Sequence, residues 1–469
     1  MKRSLLILTG IIALNIQAQT TVTVGNTVLD VETIYYGTGS NGAFTGNNGM
    51  DIPWEIIYGP DDHIWVTERK GLVSRINPVT KTKTVILDIM GPVGQFSESG
   101  LLGMVLHPDF SNSPEVFMAY TYGTTSTNLK EKVVKYTYNG TSLVNEVVLL
   151  DNIEGYSTHN GARLAILSDN TLILTTGDAQ DLTTPQNNSS PNGKVLRINL
   201  DGTIPSNNPM AGNPMYSYGH RNAQGILQHP NGKIYLSEHG ADTDDEFQIL
   251  EMNRNYGWPT VRGFCDQSSE MSFCTSNNVK EPLVAWTPTI APSDMVYYEN
   301  PLIPEFDGKV LMTVLKDKKL IALDLNADGT AVDAQVHYLT NQFGRLRDIC
   351  VGTDKTIYLA TNGSSWSNTN PNTHSIIALR AQDNTGVHEA ATKLFAVYPN
   401  PIDHSFTLKV SEELIGAAFS IVDLSGRKVL SGTITELTQS VDASSLIKGS
   451  YSIWIADQNG NVYSRKLLK

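Results

Sequence analysis

The stretch from Tyr216 to Pro259 concentrates groups that can grip ions. Arg221 and Asn222 stand side by side in Gly219-His-Arg-Asn-Ala-Gln-Gly225, a guanidinium and an amide able to hold an anion. A strand pattern follows, and then Ser237-Glu-His-Gly-Ala-Asp-Thr-Asp-Asp-Glu246, whose acidic run offers oxygen ligands to a hard cation such as calcium. An anionic cofactor beside a calcium ion is the chemistry such a succession permits. Other reactive groups recur along the chain. Glu98 lies in Gln95-Phe-Ser-Glu-Ser-Gly100, and His159 in Thr158-His-Asn-Gly-Ala-Arg-Leu164. Lys316 follows Thr313-Val-Leu, and Arg345 and Arg347 lie in Gly344-Arg-Leu-Arg-Asp348. If these groups meet, the clustered cations require a bound polycarboxylate or phosphate.

Each motif also has a plainer reading. A histidine in a glycine-containing loop is often a turn residue, Asp242 to Glu246 can be a solvated acidic loop, and Arg163 and His220 can serve the fold alone. The segment Asp324-Leu-Asn-Ala-Asp-Gly329 imitates a calcium loop, but Gln335 stands where the bidentate Glu belongs, so it reads as a hairpin turn.

The scaffold that carries these groups is visible as a repeat. A polar turn followed by an apolar or β-branched strand occurs at Ile64-Trp-Val66, Val116-Phe-Met118, Leu172-Ile-Leu174, Ile234-Tyr-Leu236, Val310-Leu-Met312 and Ile357-Tyr-Leu359. The spacing of roughly 45 to 75 residues accommodates a four-stranded antiparallel blade and its loops. Helical periodicity is nearly absent, which argues against an α/β barrel or a dinucleotide-binding domain. A stack of sandwiches is the competing all-β arrangement. The expectation is an all-β chain: a six-bladed β-propeller over 28–380, a polar linker over 381–393, and a small C-terminal β-sandwich over 394–469. In such a ring the loops at one end converge on the central channel, so the reactive groups belong there.

Composition sets the outer bounds. The chain has 469 residues, 40% hydrophobic and 17% charged, enough for a sizeable core. A formal charge of −13 argues against nucleic acid or anionic lipid as a partner. Met1-Lys-Arg3, the apolar run from Leu5 to Leu14 and Ile16-Gln-Ala18 form a secretory leader over 1–18. No later run is long and apolar enough for a transmembrane helix. Cys265 and Cys274 bracket a polar loop and could pair, Cys350 reads as a buried small hydrophobe, and no Cys/His spacing suggests zinc.

Two family resemblances follow from the motifs. Val397-Tyr-Pro-Asn-Pro401, Asp423-Leu-Ser-Gly-Arg427, Gly449-Ser-Tyr451 and Lys466-Leu-Leu-Lys469 resemble the C-terminal sorting domain of the type IX secretion system. That resemblance implies the type IX machinery as a partner, export through the periplasm, and a secreted or outer-membrane surface location. An adhesive or carbohydrate-binding sandwich would want an aromatic platform, and only Trp454 is available.

The ring resembles the soluble quinoprotein glucose and aldose sugar dehydrogenases, six-bladed propellers that bind pyrroloquinoline quinone (PQQ). The likeness runs from Asn48 to Leu379. It rests on Gly100-Leu-Leu-Gly-Met-Val-Leu-His-Pro-Asp-Phe110, His159 to Leu164, Thr176-Gly-Asp178, Lys194 to Pro205, Gly219 to Gly225, Asn255-Tyr-Gly-Trp-Pro259, Pro288 to Ser293 and Gly344 to Asp348. It implies that His159 is the general base towards the sugar hydroxyl and that Arg221 polarises the quinone oxygen. Asn222, Lys316, Arg345 and Arg347 would contact the cofactor. The carbonyls of Gly240 and Ala241 would ligate calcium, and Glu246 and Tyr256 a second, structural calcium. An external electron acceptor is implied too. Thr158 and Glu98 stand where the glucose-oxidising branch carries an acidic residue and a Gln, so glucose itself is not the expected substrate. An inactive propeller that binds a glycan or a protein is the alternative, and a lyase or glycosidase would need a flanking carboxylate pair.

Overall fold

The computed structural model describes residues 20–36, 50–363, 374–382, 394–423, 427–457 and 462–469. The leader expected at 1–18 and linker residues 383–393 lie outside the described residues, as do 424–426 of the sorting motif. The chain divides into two compact units, Met1–Ala381 and Gln382–Lys469.

In the first unit six antiparallel sheets succeed one another as blades. Five are built from four consecutive strands. The last combines Leu346–Val351, Ile357–Asn362 and His374–Ala381 with the N-terminal hairpin of Thr20–Val24 and Thr27–Tyr36. Pairing the first strands with the last closes the ring and protects the sheet edges that an open array would leave. Each of the six sequence repeats is the second strand of its blade: Ile64–Glu68, Glu115–Thr125, Thr171–Thr176, Ile234–Glu238, Lys309–Val314 and Ile357–Asn362. These strands read as nearly unbroken apolar runs because neighbouring blades cover both faces, as when Trp65, Met104 and Met118 meet between the first two blades.

The innermost strands are Pro53–Tyr58, Leu101–Leu106, Gly161–Ile166, Ala223–Gln228, Pro292–Tyr298 and Leu346–Val351, and each touches its neighbours round the ring. All six shift register near their first residue, at Pro53/Glu55, Leu101/Met104, Gly161/Leu164, Ala223/Gly225, Pro292/Met295 and Leu346/Asp348. A bulge twists a strand end and re-aims its side chains. Here the bulges carry Trp54, Leu102, Gln224 and Arg347, which all face one cavity.

Below that cavity Arg163 lies among three buried carboxylates, 2.6 Å from Glu55, 3.0 Å from Asp348 and 3.7 Å from Asp294. Burial pushes the Glu55 carboxyl up to about 8 and lifts those of Asp294 and Asp348 above the usual range. The carboxylates keep Arg163 charged although burial opposes it. Arg163 therefore ties inner strands of four blades together and supports the fold.

The 324–329 segment is a hairpin turn, in which the Asn326 side chain accepts from the amides of Thr330 and Ala331. One α-helix occurs among the described residues, Ser268–Asn277, and a Cys265–Cys274 disulfide fastens it. Cys350 is free and buried. No helix among the described residues is long and apolar enough to cross a membrane. The second unit packs a three-stranded and a four-stranded sheet around Phe406, Leu408, Phe419, Ile421 and Ile453 as a small sandwich.

Candidate functional site

The cavity at the bulged end of the channel measures about 240 Å³. Trp54 and Leu102 give it apolar surface. Lys316, Arg345 and Arg347 supply positive charge from the fifth and sixth blades, and Asn222 and Glu98 line it too, whereas His159 and Arg221 stand outside its lining. Arg347 is buried and meets only neutral oxygens, those of Asn362 at 3.2 Å and Gln224 at 3.0 Å. Burial, with Arg345 and Arg163 nearby, pulls its guanidinium down to about 9. Lys316 donates to Thr289 Oγ1 at 2.7 Å. Three cations meeting at one cavity, one of them buried with only amide oxygens as partners, suit an anion.

His159 adjoins this cavity, whose wall includes its neighbours Asn160 and Gly161. Its backbone is left-handed, with φ of 58°, an uncommon conformation for a residue with a side chain. The loop closes on Gly177, where a Cβ would lie 1.7 Å from the His159 carbonyl oxygen. The next residue, Asp178, is buried and places Oδ1 2.8 Å from His159 Nδ1. Its Oδ2 accepts from the Trp258 indole at 2.9 Å. On the other side, Glu98 accepts from the His159 amide at 3.1 Å, and the Gln180 amide lies 3.2 Å from Nε2. In the sequence Asp178 is part of a motif and has no chemical role assigned to it. The Thr-Gly-Asp spacing was the available signal, since the glycine lets the two loops touch.

Arg221 lies one step away and lines a second, smaller cavity of about 20 Å³. Its Nη1 donates to the His239 carbonyl at 3.1 Å, its Nε is buried without a partner, and its guanidinium sits 5.4 Å from the Trp258 ring. Glu238, which sequence reasoning missed, organises this turn. One of its oxygens meets His220 Nδ1 at 2.9 Å and the other accepts from the Arg221 and Asn222 amides. His220 reaches Ser217 with its second nitrogen and is wholly buried, so it orients its loop. His239, also missed, lines both cavities; burial and the nearby Arg347 depress its imidazole to about 3, so it is neutral.

The four expected metal ligands all line the smaller cavity. Gly240, Ala241, Glu246 and Tyr256 line it together with Glu238 and Asp244. The Tyr256 hydroxyl is committed elsewhere, donating to Ile249 O at 2.7 Å and accepting from Glu251 N at 2.8 Å, so only its main-chain carbonyl is left to offer. Asp245 caps the loop instead, accepting from the amides of Gly240, Ile290 and Ala291. Glu246 is raised well above the usual carboxylate range by burial and by Glu238, Asp244 and Asp245 nearby. The carboxylates and main-chain oxygens around this small space offer ligands to a hard cation, and the Arg221 and Arg262 side chains line it as well. Among the described residues, the one trio of carboxylates with oxygens within 4.8 Å of one another is instead Glu55, Asp294 and Asp348, where the Arg163 guanidinium sits.

The closed ring of six antiparallel sheets makes the first unit a six-bladed β-propeller. Residues 50–367 match the family described as Glucose / Sorbosone dehydrogenase, and the chain belongs to that family. Residues 396–469 match the secretion system C-terminal sorting domain, which implies export by the type IX system to the cell surface or beyond. The chain is 28% identical over 339 residues to the aldose sugar dehydrogenase of Escherichia coli, covering 67% of this chain and 88% of that one. It is 34% identical over 252 residues to quinoprotein glucose dehydrogenase B of Acinetobacter calcoaceticus, covering 47% and 53%. The PQQ-bound aldose sugar dehydrogenase of Streptomyces coelicolor is similar in structure, with a TM-score of 0.62 and 27% identity over 76% of this chain and 98% of that one.

Proposed function

We propose that the propeller is a PQQ- and calcium-dependent oxidoreductase that converts an aldose or related sugar hydroxyl to a lactone or carbonyl. The observation that supports this most is the His159–Asp178 pair beside a cavity lined by Lys316, Arg345 and Arg347. A planar tricarboxylate suits these cations, since Arg347 has only amide oxygens as partners and the Arg221 Nε has none. Those four residues and Asn222 would hold it. Bound there, PQQ would supply the two-electron oxidant for the carbon bearing the hydroxyl.

The protein's own groups handle the proton. Asp178 receives the Nδ1 hydrogen of His159, which leaves the Nε2 lone pair to accept the hydroxyl proton. Arg221, held by the His239 carbonyl, would stabilise negative charge developing on an oxygen. Glu98 would accept from a sugar hydroxyl. Trp54 and Leu102 give the cavity an apolar side. A calcium ion would be held by Glu246 and the carbonyls of Gly240 and Ala241. Segment 1–18 would direct export, and an external acceptor would reoxidise the cofactor.

The test is titration of calcium-loaded apo-protein with PQQ, followed by absorbance on adding aldoses. Tight binding with sugar-dependent bleaching of the quinone is expected, and His159→Ala should bind PQQ yet lose turnover. Retained turnover in that variant would remove His159 as the base, and failure to bind PQQ would leave a propeller that only binds a glycan or protein.

A further inference from the structure

Several arginines elsewhere in the ring have carboxylate partners: Arg75 pairs with Asp61, Arg163 with Glu55, and Arg197 with Asp169. Arg69 differs. It occupies the turn between Ile64–Glu68 and Leu72–Ile76 and lines the main cavity. Its Nη1 donates to the Ser97 carbonyl, its Nε is buried without a hydrogen-bond partner, and Asp51 and Glu98 act on it only from beyond ion-pair distance. Burial lowers its guanidinium. Gly100 makes room for it, because a Cβ there would lie 2.5 Å from Arg69 Cγ and 2.2 Å from its carbonyl oxygen. A largely desolvated guanidinium facing a cavity without a paired counter-charge is matched to an anion.

The position of Arg69 decides which anion. Arg69 is near enough to Arg347 to act on it electrostatically, but it is bonded to Ser97, the residue before Glu98, whose carboxylate contacts the His159 amide. Arg69 thus belongs to the wall that carries His159 and Glu98. A substrate hydroxyl must lie along this wall to give its proton to His159.

We infer that Arg69 is a specificity residue that pairs with a carboxylate on the substrate, making the preferred substrate an acidic aldose such as a uronic acid. The inference rests on the reading of His159 as base. Glu98, on the same wall, would accept hydroxyl hydrogens of the same molecule, and the carboxylate of the sugar is bound without being altered.

The experiment uses the full chain loaded with PQQ and calcium and compares sugars differing only at C6: galacturonate against galactose, and glucuronate against glucose. Wild type should favour the uronates. Arg69→Gln should lower kcat/KM for them by about 10- to 100-fold, mainly through KM. Neutral sugars and PQQ affinity should stay within about threefold of wild type, and Arg69→Lys should recover part of the loss. Calorimetric binding of glucuronate to the PQQ-free protein, present in wild type and lost in Arg69→Gln, gives a readout independent of turnover. Neutral sugars preferred by wild type, equal loss for both sugar types, or weakened PQQ binding would overturn the assignment. Arg69-dependent uronate binding without quinone reduction by any sugar would retain the anion site and defeat the dehydrogenase reading instead.

Discussion

Trp258 donates its indole N–H to Oδ2 of Asp178 at 2.9 Å, which leaves Oδ1 of the same carboxylate to hold His159 Nδ1 at 2.8 Å. Asp178 is thus oriented from one side and orients from the other. Because the carboxylate can only accept, it selects the His159 tautomer whose Nε2 is bare. Asp178→Asn should reverse that choice, since the new amide can donate to Nδ1. The expected result is a kcat lower by about 10²- to 10⁴-fold with PQQ affinity retained. Trp258→Phe should have a smaller effect in the same direction. Undiminished kcat in the Asp178→Asn enzyme would show that the tautomer does not matter.

The Gly177 contact leads to a prediction of another kind. A methyl group there would meet the main chain of His159, with 1.7 Å to its oxygen and 2.3 Å to its carbonyl carbon. Neither atom is a flexible side-chain end. Gly177→Ala must displace the histidine loop, at a cost of about 1–3 kcal/mol by analogy with overpacked cores. Thermal denaturation should show the loss, and turnover should fall further than the lost stability explains, because His159 moves away from the cavity. Wild-type melting and turnover together would mean the loops separate freely.

The ring was legible in the sequence because every blade repeats the same demand: a second strand covered on both faces, preceded by a polar turn. Ile64, Val116, Leu172, Ile234, Val310 and Ile357 mark it in turn. The cavity was legible in part, since Arg345, Arg347, Lys316 and Asn222 were recognisable from motifs. What remained hidden depends on contacts across the ring. Asp178 acts on His159 only because Gly177 lets two loops touch, and Arg69 gains its meaning from lacking a carboxylate partner. The bulges that aim Trp54 and Gln224 into the cavity leave no residue-type signature at all. Which atom of Tyr256 could serve a metal was equally hidden, for its hydroxyl is spent on Ile249 and Glu251 and only its main-chain carbonyl is left.

The Arg163 cluster makes stability depend on pH. Three buried carboxylates share one guanidinium, and the folded protein holds protons that the unfolded chain would release at ordinary carboxylate values. For Glu55 the folded value is raised from 4.5 to about 8. Its contribution to stability is therefore complete below about pH 4.5 and declines as pH rises towards 8. Glu55→Gln, which needs no proton, should flatten the fall in melting temperature of the propeller across that window. A parallel pair of curves would assign the pH dependence to other groups. Removing the cation is the harsher change: Arg163→Met leaves the carboxylates uncompensated and should cost about 3–5 kcal/mol.

Metal dependence is the remaining prediction, and it separates the two acidic clusters. The cavity lined by Gly240, Ala241 and Glu246 suits a hard cation, while the Glu55 cluster already has the Arg163 guanidinium in place. Calcium that binds the folded chain alone must raise its stability by mass action, by about 2.7 kcal/mol at a free concentration a hundred times its Kd. Chelator-treated protein should accordingly melt lower and recover on adding calcium. Glu246→Gln should abolish the recovery. Asp242→Asn, at an exposed position of the same loop, should preserve it. Loss of recovery in Glu55→Gln, with Glu246→Gln unaffected, would move the calcium site into the channel and force Arg163 to share that space. Because the Glu246 cavity also contains Arg221, calcium recovery there should be accompanied by a change in PQQ affinity.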